Sequence, residues 1–133
     1  MIDPEFAVFD AVSDEVKLMY PNLYMTGDVS FAPSQFPAVS IVEKNNSVVQ
    51  RMRTDRIENA ISLMYEANVY SNKVGYSKVE AKEILSVVDA AFEKIGFTRT
   101  FSNPVQNLED KTVYRIVARY EAVMDRDFVV YQN

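Results

Sequence analysis

The longest strand pattern in the chain places the tightest limit on its fold. The segment KTVYRIVARYEAVMD, Lys111 to Asp125, alternates regularly, and successive side chains of a strand point to opposite faces of a sheet. One row is apolar and predicts half of a core: Tyr114, Ile116, Ala118, Tyr120, Ala122 and Met124. The other row mixes valines with Arg115, Arg119 and Glu121. The pattern therefore predicts a sheet with one buried face and one half-apolar face.

Two helical patterns accompany this strand. The first follows Asp3 and Pro4 and ends before Pro21, with apolar residues at spacings of three and four: Phe6, Phe9, Val12, Val16 and Met19. The second begins at a capping box, Ser77-Lys78-Val79-Glu80, and ends at Gly96, which can adopt the left-handed conformation of a helix stop.

Further strands are predicted from alternation and turn residues. We expect a strand over 36–44 that turns at Asn45-Asn46, a long strand over 60–71, and short strands at 97–101 and 128–131. A short extended piece is expected at 29–31, and a polar turn region from Asn103-Pro104 to Lys111. The order α-β-β-α-β-β-β predicts an α+β fold with a mixed, mainly antiparallel β-sheet and two main helices packed on one face. A single domain covers residues 1–133, and residues 1–35 supply the N-terminal helix and its connection.

Composition argues against catalysis. The chain contains no His and no Cys, so it lacks the usual general base and thiolate chemistry, and no glycine-rich phosphate loop occurs. We therefore predict that it is not an enzyme and has no catalytic, cofactor-binding or metal-binding residues. The carboxylates of Asp10, Asp14 and Glu15 are expected on a solvated helix face, and Asp125 and Asp127 in a turn.

Charge and hydropathy limit the partners. With 14 Lys and Arg against 19 Asp and Glu, the net charge is −5, which disfavours a general nucleic-acid binder. The beginning of the sequence shows no signal-peptide pattern, and no segment approaches the length of a membrane span. The expectation is a soluble chain made in the cytoplasm.

The most polar stretch, EKNNSVVQRMRTDRIEN from Glu43 to Asn59, carries three arginines: Arg51, Arg53 and Arg56. Its polarity and length are typical of a mobile loop, which we expect to become ordered when it contacts a partner. The alternative is a solvated connector without such a role.

From Phe36 onward, about three quarters of the chain resembles the tail terminator or tail completion proteins of long-tailed bacteriophages and prophage-like particles. The resemblance rests on the order FPAVSIVEKNN, YEANVYSN, SKVEAKEILSVVDAAFEKIGF and TRTFSNPVQNLEDKTVYRIVARYEAVMD. It is concentrated between Val69 and Asp125: Val69-Tyr70-Ser71, Val88-Asp89, Gly96-Phe97, Arg115 and Arg119-Tyr120. None of these residues is a catalytic signature.

The resemblance implies a structural subunit of the virion tail, assembled in the bacterial cytoplasm. Copies form a ring, typically a homohexamer, at the head-proximal end of the tail tube, where the ring stops tube polymerisation and joins the tail to the head-side connector. Its partners are then other copies, the tail tube protein and the connector or stopper protein. DNA is only cargo in the channel, no cofactor is involved, and no membrane is contacted.

Alternative functions remain open from sequence. A head-completion, stopper or minor capsid protein of the same particle fits the same pattern. A small-ligand-binding α+β domain is the alternative from another class, with a pocket formed by tyrosines: Tyr65, Tyr70, Tyr76, Tyr114 and Tyr120.

Three interpretations apply to Arg115 and Arg119. They pair across strands with residues such as Glu66, they line a channel, or they lie in a subunit interface, where arginine is enriched. We favour the subunit interface, because the surrounding valines make this face too apolar for simple solvent surface.

Overall fold

The computed structural model describes residues 1–28, 33–49, 60–106 and 112–131. The extended piece predicted at 29–31 lies outside the described residues, and so do Arg51, Arg53 and Arg56. Of the polar stretch from Glu43 to Asn59, residues 43–49 are described. The elements, in chain order, are α1 (Glu5–Met19), β1 (Tyr24–Thr26), β2 (Ala38–Val48), β3 (Ala60–Ser71), α2 (Ser77–Lys94), β4 (Thr98–Gln106) and β5 (Tyr114–Asp125).

The five strands form one mixed sheet in the order β1-β2-β3-β5-β4. Only β1 and β2 are parallel, and the other neighbours are antiparallel, so the predicted α+β class with a mainly antiparallel sheet is confirmed. At the centre, β3 and β5 pair over their full lengths, from Ala60 opposite Asp125 to Ser71 opposite Tyr114. The predicted strand at 128–131 is instead a single bridge between Val130 and Met124.

The predicted turn at Asn45-Asn46 is wrong, because β2 continues through both residues to Val48. The pairing shifts between Glu43 and Asn45, so one extra residue is absorbed within the strand as a bulge. The side-chain amide of Asn45 donates to the Ser62 carbonyl, and that of Asn46 donates to the Ile2 carbonyl. These partners satisfy polar side chains that the sequence pattern assigned to a turn.

The two ends of α2 differ in how well the sequence predicted them. At the N-terminus, Tyr76 occupies the capping position and no side chain caps the helix, so the predicted capping box is wrong. Glu80 instead accepts a hydrogen bond of 2.6 Å from the Ser71 hydroxyl at the end of β3. At the C-terminus, Gly96 adopts φ 93° directly after the helix, which confirms the predicted left-handed stop.

Both helices share one hydrophobic core with one face of the sheet, called here the helix face. Its centre is aromatic: the rings of Phe92 and Tyr120 stack at 4.1 Å, and Phe97 packs edge-on against Phe92 and Tyr65. The core row predicted for the long strand is confirmed, because β5 contributes these residues to the core or packs them against it: Tyr114, Ile116, Ala118, Tyr120, Ala122 and Met124.

The buried stripe of α1 differs from the predicted one. Val12 and Val16 are buried as expected, together with Val8 and Ser13, whereas Phe6 and Met19 are exposed. The spacing of the apolar residues predicts the helix correctly. Phe6 was included in the buried stripe only because its side chain is apolar. The face that packs is centred on Val12 and Val16, and Phe6 lies off it.

Candidate functional site

The candidate site is the face of the sheet opposite the helices, called here the back face. Arg115, Val117 and Arg119 of β5 lie on it, because they alternate with the residues of β5 that enter the core. In the paired strand β3, the back-face residues opposite them are Tyr70, Asn68 and Glu66. The sequence row that mixes valine with arginine therefore forms one surface with three polar residues of the central strand.

A continuous chain of hydrogen bonds crosses the middle of this face. The Arg115 Nε donates to Asn68 Oδ1 at 2.9 Å, and the Asn68 amide nitrogen donates to Glu66 Oε1 at 3.2 Å. The Arg119 Nε donates to Glu66 Oε2 at 3.1 Å. We call these four residues the back-face ladder. Because each buried polar group in the ladder has a partner, the ladder holds its side chains in fixed orientations.

The two arginines of the ladder differ in exposure. Arg115 is only 9% exposed, and its guanidinium lies 5.6 Å from the centre of the Tyr70 ring. The Arg119 side chain is 45% exposed, and its guanidinium lies 5.6 Å from the centre of the Phe101 ring. Within the described residues, the terminal nitrogens of Arg119 have no hydrogen-bond partner. Arg119 can therefore donate further bonds to an acceptor outside the chain.

The structure thus contains the cross-strand pair that was one of the three interpretations. Glu66 and Arg119 are direct neighbours in the register of β3 and β5, and their side chains form an ion pair. This pair uses only one edge of the Arg119 guanidinium, so it is compatible with a second acceptor from a neighbouring subunit. Arg115, in contrast, is committed to the interior of the ladder.

Apolar side chains border Arg119 toward the edge of the sheet. On the same face of β4, the exposed Phe101 lies opposite Arg119 and the exposed Val105 lies farther along, opposite Arg115. Val123 of β5 is half-buried. At the other end of the face, Tyr24 and Phe36 pack over a small buried cluster of Ala38, Tyr70 and Val113. The open part of the back face is therefore the part near β4, the outermost strand of the sheet on that side.

The other sequence candidates are placed as follows. Arg51, Arg53 and Arg56 lie outside the described residues. The tyrosines suggested for a ligand pocket are spread over several surfaces. Tyr65 and Tyr120 are in the core, Tyr70 is on the back face, and Tyr76 is exposed at the start of α2. Tyr114 packs against the core from β5. Within the described residues, these five side chains do not surround one cavity.

Two buried tyrosines bond to carboxylates on the helix face. The Tyr65 hydroxyl donates to Glu43 at 3.1 Å, and the Tyr120 hydroxyl donates to Asp89 at 3.0 Å. Burial, together with the nearby carboxylate, raises the pKa of each tyrosine well above its usual value. Both hydroxyls therefore stay protonated and act as donors.

Glu43 also belongs to an acidic cluster with Asp3 and Glu5, whose carboxylate oxygens all lie within 4.8 Å of one another. Burial raises the pKa of Glu43, and the charges of Glu5 and Asp3 raise it further, while the hydrogen bond from Tyr65 opposes the shift. Exposed carboxylates of this kind form a site only when something else points to a ligand, and the described residues supply no such observation.

Sequence reasoning named both arginines and Glu66 but missed Asn68. The signal was available: Glu66 and Asn68 are two residues apart in one row of a strand whose other row is apolar, and Arg115 and Arg119 lie in one row of a second strand, with Val117 between them. Whether these two polar rows lie opposite each other depends on the strand order and the register. A single sequence does not specify either of them.

Within the described ranges, no helix is long and apolar enough to cross a membrane. No model of a known protein family matches this chain, and a comparison with curated proteins finds no match to it.

Proposed function

We propose that this protein is a structural subunit of a bacteriophage tail. In this proposal its copies form a ring, a hexamer in the proteins it resembles, at the head-proximal end of the tail tube. The ring ends tube polymerisation and connects the tail to the head-side connector. The observation that supports the proposal best is the open part of the back face, where the spare donors of Arg119 lie among exposed apolar side chains that neither helix covers.

This surface has the composition of a subunit contact rather than of plain solvent surface. Interfaces are enriched in arginine and aromatic residues, and here Arg119 lies beside Phe101, while the exposed Val105 lies farther along β4, opposite Arg115. Phe101 and Val105 can bury apolar area against a neighbour, while the terminal nitrogens of Arg119 form bidentate bonds to a carboxylate of that neighbour. A chain with 19 acidic residues offers many such carboxylates to the next copy.

The ladder gives this contact a fixed geometry. Glu66 accepts from the Arg119 Nε, Asn68 donates to Glu66, and Arg115 donates to Asn68. A guanidinium that is already oriented loses less entropy when it binds a neighbour. In this account Arg119 is the contacting residue, and Arg115 is a positioning residue.

The electrostatics of the chain also suit a conduit for DNA. A channel built from subunits with a net charge of −5 does not retain phosphates strongly, so DNA passes as cargo. Glu66 partly neutralises Arg119, which weakens the attraction of this arginine for DNA as well.

Electron microscopy of the purified protein, alone and mixed with tail tubes from the same particle, tests the proposal. We expect rings whose number rises with protein concentration, and tubes with a single added layer at one end. Binding to the connector without any binding to tubes would assign the protein to head completion instead. Protein that stays monomeric and leaves the tube ends unchanged would contradict the proposal.

A further inference from the structure

The turn after β5 is held in a conformation that its central side chain disfavours. The Asp125 carboxylate accepts hydrogen bonds from the backbone N–H groups of Asp127 and Val129, at 2.8 and 3.0 Å. The backbone of Asp125 also bonds to Phe128 and to Val129. These bonds fix Phe128 at φ 61°, in the left-handed region that bulky residues rarely adopt and that Asn or Gly adopts with less strain.

This turn presents apolar side chains to solvent. Phe128, Val129 and Tyr131 are 45%, 59% and 47% exposed, and we call these three residues the knob. Val130, between them, points the other way and lies within 3 Å of the position that a Cβ on Gly96 would occupy. Turn formation itself does not require a phenylalanine at Phe128, so the strain and the exposure together suggest that the side chain has a partner.

A groove suited to apolar side chains lies between the C-terminal halves of α1 and α2. Its volume is about 490 Å³, and Leu18 and Met19 of α1 and Val87, Ala90 and Ala91 of α2 line it. Leu18 and Met19 are largely exposed and adjacent, so they place an apolar patch at the end of α1. The groove is large enough for the ring of Phe128 and a neighbouring side chain.

The charges beside the knob and the groove are complementary. Arg126 and Asp127 are exposed next to Phe128, and neither side chain has an ion-pair partner within the described residues. The groove is bordered by Glu15 and Lys94, which form an exposed ion pair of 3.1 Å. Each surface thus carries one acidic and one basic side chain beside an apolar centre. An inserted knob can pair Arg126 with Glu15 and Asp127 with Lys94.

We propose that the knob of one copy of this chain inserts into the groove of a second copy. Because knob and groove are different surfaces, the contact is head-to-tail, and such contacts generate a ring when the rotation between copies closes. This contact would be a second one between copies, besides the back face. Its role in a tail ring rests on the proposed function. The contact itself can be tested without a tail tube.

Disulfide trapping tests the contact directly, because the natural chain contains no cysteine. We would combine Val129→Cys in the knob with Ala90→Cys in the groove, oxidise the purified protein and separate it on a non-reducing gel. The expected result is a series of bands from covalent oligomers, which a reducing agent converts back to the monomer. The matched control combines Ala90→Cys with Val74→Cys, because Val74 is 99% exposed in a loop away from the knob. Oligomers at the level of the control would overturn the inference, as would a disulfide closed within one chain.

A second variant separates the contact from the stability of the turn. Phe128→Asn relieves the left-handed strain, so we expect a melting temperature equal to or above that of the natural chain. The same change removes the ring from the knob, so self-association measured by sedimentation velocity should fall several-fold or disappear. Unchanged association of this variant would overturn the inference. If trapping succeeds but tubes remain uncapped, the knob contact stands and the tail function fails.

Discussion

At the scale of single residues, Arg115 and Arg119 belong to the same row of β5 but differ in burial and in their expected contribution to folding. Arg115 is buried in the ladder, and its loss leaves the Asn68 oxygen without its donor. The Arg119 side chain is 45% exposed, so solvent screens its ion pair with the buried Glu66. Stability should therefore depend mainly on Arg115, and assembly mainly on Arg119.

This division predicts that one variant loses mainly stability and that the other loses mainly ring formation. Arg115→Met should lower the free energy of unfolding by about 1–3 kcal/mol, the cost of leaving a buried polar group unsatisfied. Replacing Arg119 and its buried partner by a neutral pair, Glu66→Gln with Arg119→Met, leaves an acceptor oxygen for the Asn68 amide, so it should cost less stability than Arg115→Met but reduce ring formation strongly. Denaturant unfolding and sedimentation measure the two properties. A Glu66→Gln and Arg119→Met chain that assembles normally would exclude Arg119 from the interface.

Glu43 predicts a pH effect on stability. Its pKa is raised in the folded chain, so the folded state binds the proton more tightly than the unfolded state does. The ionised carboxylate therefore destabilises the fold, and this cost is absent below the unfolded value of 4.5 and grows as the pH rises through the raised folded pKa. Glu43→Gln should raise the melting temperature at pH 7 and have little effect at pH 4. A shift of equal size at both pH values would rule out this electrostatic origin.

At the scale of elements, the faces of the strands were predictable and their ends were not. Alternation assigned the core row of β5 correctly, because period-two hydrophobicity directly reflects burial on one face. The polar turn region predicted from Asn103-Pro104 to Lys111 is wrong in its first part, since β4 continues to Gln106, and residues 107–111 lie outside the described residues. Proline is tolerated there because β4 is an edge strand, and a missing N–H need not interrupt a ladder on its outer side.

The candidate site was predictable only in part for a related reason. Arg119 and Glu66 were identifiable as residues on a half-apolar strand face, and Phe101 was assigned to a strand. Their meeting at the β4 side of the back face depends on the order β3-β5-β4 and on the register, which are tertiary properties. The same holds for the knob and the groove, which involve segments far apart in sequence.

The end of α2 supports a prediction about glycine. Gly96 has φ 93°, and an added Cβ would lie 2.9 Å from the Val130 side chain. Gly96→Ala should therefore destabilise the protein by about 1–2 kcal/mol through left-handed strain, and the clash adds to this. The control is Gly27→Ala, since Gly27 lacks a positive φ and the nearest atom lies 4.0 Å away. Thermal melts of both variants test this, and we expect Gly96→Ala to have the lower melting temperature. Equal melting temperatures would contradict this explanation.

At the scale of the whole molecule, the surfaces described here lie on different parts of one subunit. The open part of the back face lies near β4, the groove lies between the helices, and the knob follows β5. A subunit that uses several separate surfaces can contact neighbours on more than one side at once, which a closed ring requires. In the proposed function, the ring binds the tube and the connector through surfaces other than the back face, the groove and the knob.

Elongation of tail tubes in the presence of this protein tests the central proposal most directly. Tube protein would be polymerised with increasing, substoichiometric amounts of the chain, and tube lengths would be measured by electron microscopy. The account predicts that elongation stops early, that mean length falls as the added protein rises, and that the chain with Glu66→Gln and Arg119→Met has little effect. Tubes of unchanged length at every amount of the natural chain would contradict it.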